Sequence, residues 1–385
     1  MAKFCFVVHP LSFDDVARYE PGAKGKGRPI IAKILEWMPA HAAAHVTGVV
    51  TPDGRETEGW LVAVPLLPEQ MLGLPREDIY GRIGRAIEIG AELGAQVAGL
   101  GAFTAVIGDG GVTIAERSPI PVTTGNSLTI AAGLASLFRA AAEMEIAVER
   151  ASVAVIGATG SIGAACVRSI APRSGRMTLV ARNETRLRKL FVELEPELPP
   201  GSSYTTDLRS AVRDAQIVLT ATSSTQDVIE PEDVRTGAVV CELSLPHDVS
   251  RRIATERPDV LVVEGGNMRM PGTPRMDRIL GEGQFDFGLP PGTALACLSE
   301  TMVLALEERL EPFTLGRGIE AGKVEEIDRL ARRCGFELAD MRAFDLAITQ
   351  EHVAKTRVAA EQRQREKLFG DPSGSVIMSS IGREP

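Results

Sequence analysis

Two stretches of this chain hold residues whose types and spacing could do chemistry. The first is 153–163, VAVIGATGSIG, an apolar run followed by glycines at 157, 160 and 163. Glycines so spaced allow a tight turn, let the backbone approach a phosphate and let the next helix pack closely. Gly157, Thr159, Gly160, Ser161, Ile162 and Gly163 are therefore the candidate pyrophosphate cradle, facing the free N–H groups of a helix over 161–170. The flanks meet the motif's structural demand: a buried strand at 154–156, the helix, then a second strand at 177–181, a βαβ unit of about 30 residues. After that second strand an NAD site places an acid for the ribose 2′-hydroxyl. Here Arg182 stands in that place, with Asn183 beside it and Arg186 one turn on. Guanidinium groups bind a phosphate bidentately and with opposite charge, so the expected cofactor is NADPH. Thr222 and Ser223, at the end of a later strand, join the candidate cofactor set.

The second stretch surrounds Cys297, which follows Pro290 and Pro291 in PPGTALACLSETMVLALEERL. The pattern predicts a helix from Pro290 with an apolar stripe through Ala294, Leu298, Met302, Ala305 and Leu306. A thiol near a helix N-terminus gains thiolate character from the dipole. A small buried core residue between Ala296 and Leu298 is the competing reading from spacing alone. The remaining cysteines, at 5, 166, 241 and 334, fall in predicted strands, in the glycine-turn helix or far from either motif.

The elements that must position these residues divide the chain into four. Residues 1–148 read as an α/β substrate domain: strands at 3–8, 46–50 and 59–64, a loop over 20–29, a helix over 77–94, a strand over 97–107, and a helix capped by Asn126 and running to 146. Residues 149–290 read as a Rossmann-like domain, with further strands at 217–222, 238–243 and 260–263. Strands alternating with helices imply a doubly wound parallel sheet. Residues 291–348 hold C-terminal helices, the second over 324–334. Residues 349–385 form a polar tail, a helix fading into disorder or an oligomer arm.

Bulk properties narrow the function. With 385 residues and 44% hydrophobic content the chain can bury two or three cores. A net charge of −9 and 4% aromatic residues disfavour nucleic acid as a partner. No signal peptide and no transmembrane segment are read. Five cysteines without a CxxC pair imply reduced thiols and a cytoplasmic setting, and no metal site is expected. Homo-oligomerisation is left open.

In addition, VTGVVTPDGRETEGWLVAVPLLPEQML (46–72), LGAFTAVI (100–107), VTTGNSLT (122–129), the glycine motif, LVARNETRL (179–187) and ALACLSETMVLALE (294–307) occur together and in order. In this the chain resembles the long-chain acyl-[acyl-carrier-protein] reductases, over about residues 1–340. The resemblance implies that a fatty acyl thioester, on acyl carrier protein or on CoA, is reduced with NADPH to a fatty aldehyde. It also implies that Cys297 is the acyl acceptor. Thr124, Gly125 and Asn126 become candidate oxyanion donors, with helix capping as their structural alternative. Leu128 departs from the family's histidine. For an acidic carrier protein, Arg173, Arg176, Arg269, Arg275 and Arg278 are candidate contacts. Three other readings compete. A shikimate or quinate dehydrogenase-like enzyme needs a Lys–Asp pair in the first domain, where only Lys24 and Lys26 offer themselves, in a loop. A glutamyl-tRNA reductase-like enzyme needs a cysteine there, where only Cys5 stands. The third is a non-catalytic NADPH-binding protein.

Overall fold

The structure, a computed structural model, describes residues 1–369. Its first five strands are β1 (Phe4–Val8), β2 (His41–Val50), β3 (Glu56–Ala63), β4 (Val97–Leu100) and β5 (Val122–Thr123). The next six are β6 (Ser152–Ile156), β7 (Arg176–Val180), β8 (Ser203–Thr205), β9 (Ile217–Thr220), β10 (Val239–Glu242) and β11 (Leu261–Glu264). Three more follow: β12 (Asn267–Arg269), β13 (Gly272–Arg278) and β14 (Thr293–Leu295).

The second group of six forms one wholly parallel sheet in the order β11-β10-β9-β6-β7-β8. The chain enters at the centre, winds outward through β7 and β8, then crosses back to β9, β10 and β11. This is the doubly wound α/β arrangement expected from the alternation of strands and helices. Its direction reverses between β6 and β9, where such sheets hold ligands at their carboxyl edge. The central strands read as unbroken apolar runs because helices cover both faces.

The other large sheet has the order β13-β2-β3-β1-β4-β5. β1 pairs parallel with β3 and β4, and β4 with β5, whereas β2 runs antiparallel to β3 and β13. β13 belongs by chain position to the stretch expected in the nucleotide-binding domain, yet it adds an edge strand to the first sheet. The chain therefore crosses between the two sheets more than once.

One helix joins the two halves. Asn126–Glu143 puts Leu128 and Ala132 into the core of the first sheet and Ile130, Leu134 and Leu137 into the core of the second. The helix Ala296–Leu306 lies against the first sheet and is buried at every residue except Cys297. An all-round apolar sequence is what such a position demands.

Several sequence expectations shift here. The strand expected over 97–107 stops at Leu100, the chain turns at Gly101 and Ala102, and Phe103–Val106 is a short helix. Asn126 is the first residue of its helix rather than the cap; Gly125, at φ 72°, caps it. The helix expected from Pro290 starts six residues later, because Thr293–Leu295 first pairs with β12 and the Ala296 N–H donates to the Gly266 carbonyl at 2.7 Å. The loop expected over 20–29 holds a 3-10 turn at Pro21–Ala23 and gives way to a helix at Arg28. The tail is helical over Gln350–Phe369, and the expectation of disorder beyond it falls on 370–385, outside the described residues.

Gly99 in β4 shows how closely the cysteine helix seats. A Cβ there would overlap the Thr301 hydroxyl and the Phe6 ring. Gly99→Ala should therefore cost about 1–3 kcal/mol in urea unfolding, by overpacking. Gly84→Ala, in a helix with open space around it, should gain about 0.5–1 kcal/mol. Equal stabilities would contradict this packing.

Candidate functional site

The glycine turn takes the backbone shape that the motif requires. Gly157 takes φ 80°, and its N–H and that of Ala158 both donate to the Val180 carbonyl, at 2.9 and 3.0 Å. A Cβ on Gly157 would strike the Ala221 carbonyl, and one on Gly163 would strike the Gly157 carbonyl. The turn thus closes only with glycine at these places. Ser161, Ile162 and Gly163 form the first turn of the helix Ser161–Ile170, which no side chain caps. Their N–H groups face outward beside Gly160 with Thr159 half-buried at the rim, an arrangement that fits a pyrophosphate.

At the end of β7, Arg182 and Arg186 are exposed, and neither guanidinium pairs with a carboxylate among the described residues. Asn183 acts locally, since its side-chain oxygen accepts the Arg186 N–H at 2.9 Å and caps the helix Glu184–Leu194. Thr222, expected to face the cofactor, turns inward. Its hydroxyl donates to Asp248 at 2.6 Å, and its N–H donates to the Ser244 hydroxyl at 2.8 Å. Ser223 is exposed beyond it.

That inward turn reveals a cluster which sequence reasoning missed. Thr220, Thr222 and Ser244 all donate to one oxygen of Asp248, and burial lifts the Asp248 pKa to about 6. Glu242, at the end of β10, accepts the Asp248 and Val249 N–H groups and pairs with His247 at 2.8 Å. Burial would lower the His247 pKa, but the Glu242 carboxylate outweighs it and raises the value to about 9. The only sequence signal was the polar content of ELSLPHDVS at a strand end.

Cys297 lies where the carboxyl edges of the two sheets meet. It is the second residue of its helix and the only cysteine that is not fully buried. Gly125, just past β5, packs so closely that a Cβ would overlap the Cys297 backbone. Gly266, just past β11, holds the start of the helix through the Ala296 N–H. The N–H groups of Ala102, just past β4, and of Leu298 lie near enough to the Cys297 sulfur to favour its thiolate. Ala102 sits at φ 46° and ψ −120°, a conformation that costs a residue with a side chain about 1–3 kcal/mol. Nothing in its residue type announces that role.

Helix position does not make Cys297 a thiolate in the free protein. Burial raises its pKa to about 12, with the Glu300 carboxyl one turn on pushing the same way. The N–H donors only partly offset that, so the expected thiolate gain is outweighed. Glu300 has no exposure. It accepts the Thr123 hydroxyl at 2.5 Å, the Thr314 hydroxyl at 2.9 Å and the Leu128 N–H at 2.9 Å, and burial raises its pKa.

The candidate oxyanion donors sort by what they already bond. The Thr124 N–H and hydroxyl both donate to the Thr314 carbonyl, at 2.9 and 3.1 Å. The Gly125 N–H is directed at Glu300 and the Thr123 hydroxyl. Asn126 alone of the three has a side-chain amide with no hydrogen bond among the described residues, and it neighbours the residue packed on Cys297. Leu128 is fully buried in the first core. Of the arginines considered for an acidic partner, Arg269 pairs with Asp340 at 3.2 Å and Arg275 with Asp277 at 2.9 Å, Arg278 lies over Tyr19, Arg173 lies over Phe138, and Arg176 is exposed. Among the described residues no cluster of metal-binding side chains occurs, and no helix is long and apolar enough to cross a membrane.

A family match agrees with this architecture over part of the chain. Residues 139–264 match the shikimate / quinate 5-dehydrogenase family. Over 306 residues the chain is 31% identical to the aminotransferase PigE of Serratia sp., which covers 79% of this chain but 35% of that protein. It is 25% identical over 308 residues to a long-chain acyl-[acyl-carrier-protein] reductase of Synechococcus elongatus, 75% of this chain and 85% of that one. Among solved structures, an L-alanine dehydrogenase overlays 40% of this chain and 52% of its own at a TM-score of 0.29 and 14% identity. The chain has the fold of an NAD(P)-dependent oxidoreductase, and it spans only 35% of the length of its Serratia relative.

Iodoacetamide should label Cys297 first, since Cys5, Cys166, Cys241 and Cys334 are buried. With a folded pKa near 12 against an ordinary 9.0, the Cys297 rate should keep climbing through pH 10 without a plateau. A plateau near pH 8 by mass-resolved kinetics would show that the N–H donors dominate burial.

Proposed function

We propose that this protein reduces a long-chain fatty acyl thioester to an aldehyde with NADPH, through an acyl group carried on Cys297. The observation that carries the proposal is the placement of the one cysteine that is not fully buried against residues just past β5 and β11, at the same carboxyl edge of the parallel sheet where the glycine turn follows β6. Acyl carrier protein is the proposed donor, with CoA as the alternative, and the proposed setting is the cytoplasm.

The chemistry follows from the groups present. The Cys297 sulfur attacks the thioester carbonyl. Its proton ends on the departing thiol, so a resting thiol rather than a thiolate suits the exchange. The oxygen of the tetrahedral adduct takes negative charge, and the free amide of Asn126 is the donor available to it. The glycine turn, with Arg182 and Arg186, would hold NADPH, which when bound would supply the hydride that the acyl carbon needs. Cys297 then leaves as the aldehyde forms, and a proton from solvent restores the thiol. Each half transfers charge where N–H groups converge, which divides one exchange into two lower barriers.

The shikimate-type alternative finds no support in the first domain. Lys24 and Lys26 lie on the loop before the helix at Arg28, and neither pairs with an aspartate among the described residues. The relative named an aminotransferase is compatible with the proposal, because an aldehyde is a carbonyl that a transamination can consume.

Incubation with a long-chain acyl thioester but no NADPH should leave an acyl adduct on the wild type and none on Cys297→Ser, read by intact-protein mass. An adduct on both, or on neither, overturns the covalent route; comparing acyl carrier protein with CoA identifies the donor. Asn126→Ala should lower kcat about 100-fold with little change in Tm, since Asn126 caps nothing. Arg182→Ala should weaken NADPH at least tenfold while leaving NADH binding nearly unchanged, by fluorescence titration. Equal weakening of both would remove the 2′-phosphate assignment.

A further inference from the structure

The amide of Ala102 comes from outside the cysteine's own helix and lies close enough to the Cys297 sulfur to favour its thiolate. It does so only because Ala102 holds a conformation that favours glycine, at the second position of a turn closed by Thr104 N–H to the Gly101 carbonyl, 3.0 Å. Left to itself such a residue relaxes, and the N–H swings away. The structure therefore has to clamp the turn from both sides. On one side the Gly101 N–H donates to the Val7 carbonyl at 3.0 Å, and the Thr104 hydroxyl donates to the Gly101 carbonyl at 2.7 Å. On the other side the next amide, that of Phe103, donates to Nε2 of His9 at 3.1 Å.

His9 lies just past β1, the strand beside β4. Its Nδ1 faces the Pro10 carbonyl at 3.0 Å. With Nδ1 donating there, Nε2 keeps its lone pair for the Phe103 N–H. A protonated ring would carry hydrogen on both nitrogens and could not accept. Loss of contact with water keeps the ring neutral, with a pKa pulled down to about 4 despite the Pro10 and Leu66 carbonyls. The Phe103 ring meets the imidazole edge-on, with centroids 6.3 Å apart.

We infer that His9 is a positioning residue: as a neutral hydrogen-bond acceptor it fixes the Phe103 amide, and through it the turn that aims the Ala102 N–H at Cys297. The inference rests on Cys297 being the reacting thiol, but its test does not need an acyl substrate. In the free full-length protein, His9→Ala should slow iodoacetamide alkylation of Cys297 at pH 8 about tenfold, the equivalent of one pKa unit. NADPH affinity, set on the other sheet, should stay unchanged. His9→Gln, which restores a neutral acceptor, should recover most of the rate. Should His9→Ala fail to fold, His9→Phe keeps a ring of similar size without an acceptor and should show the same slowing. Alkylation at the wild-type rate in the acceptor-free variant, or equal slowing in His9→Gln, overturns the inference. Failure of acyl transfer with these rates intact would instead fall on the proposed function.

Discussion

Beside Cys297 lies a carboxyl group with no access to water, and the segments around it are held in register by what satisfies it. Glu300 accepts from Thr123 at the end of β5, from Thr314 in the segment after the cysteine helix, and from the Leu128 amide in the bridging helix. A buried carboxyl with one of these missing would cost several kcal/mol, so the three segments cannot drift apart independently. The Leu128 bond carries a second duty. The bridging helix is capped by Gly125, which has no side chain to satisfy the third amide of the helix. Glu300 reaches across from another helix to do it. Gly125 is thereby left free to be what the cysteine requires, a residue small enough to touch its backbone.

This arrangement explains why the cysteine segment could be singled out while its geometry could not. The glycine turn was legible because its chemistry is local: Gly157 and Gly163 contact the turn itself and the adjoining Ala221, and the flanking strand and helix carry their own apolar pattern. That the sheet is parallel and doubly wound was legible for the same reason, since each strand–helix unit repeats one local rule, whereas its strand order was not read from the sequence. Cys297 could be singled out by residue type and place, but its surroundings come from β4, β5 and β11, far upstream in the chain. Nothing in the pattern of LGAFTAVI distinguishes a turn at Ala102 from a continuing strand; the Val7 carbonyl and His9 decide it.

The same non-local logic governs which candidate donors are free. Thr124 and Asn126 look alike as hydrogen-bonding residues beside a glycine, yet the Thr314 carbonyl takes both donors of Thr124 and leaves the Asn126 amide open. Asn183 and Thr222 likewise have residue types suited to a cofactor, and the structure gives them a helix cap and a buried carboxylate instead. Residue type names the chemistry a side chain can do. The partners already present decide whether it is available to do it.

A protonated Cys297 fits this economy of bonds. An isolated thiolate at this depth would need compensation as complete as that of Glu300, and the available N–H groups do not supply it, which is why burial prevails in the free protein. In the proposed reaction a bound thioester changes the balance, because it displaces solvent and brings a departing thiolate that accepts the proton. The site then needs no dedicated base beside the sulfur. What the proposed reaction needs is a thiol held at a fixed angle with amide donors already oriented around it, and the inferred clamp on the strained turn at Ala102 is suited to set that orientation before a substrate arrives.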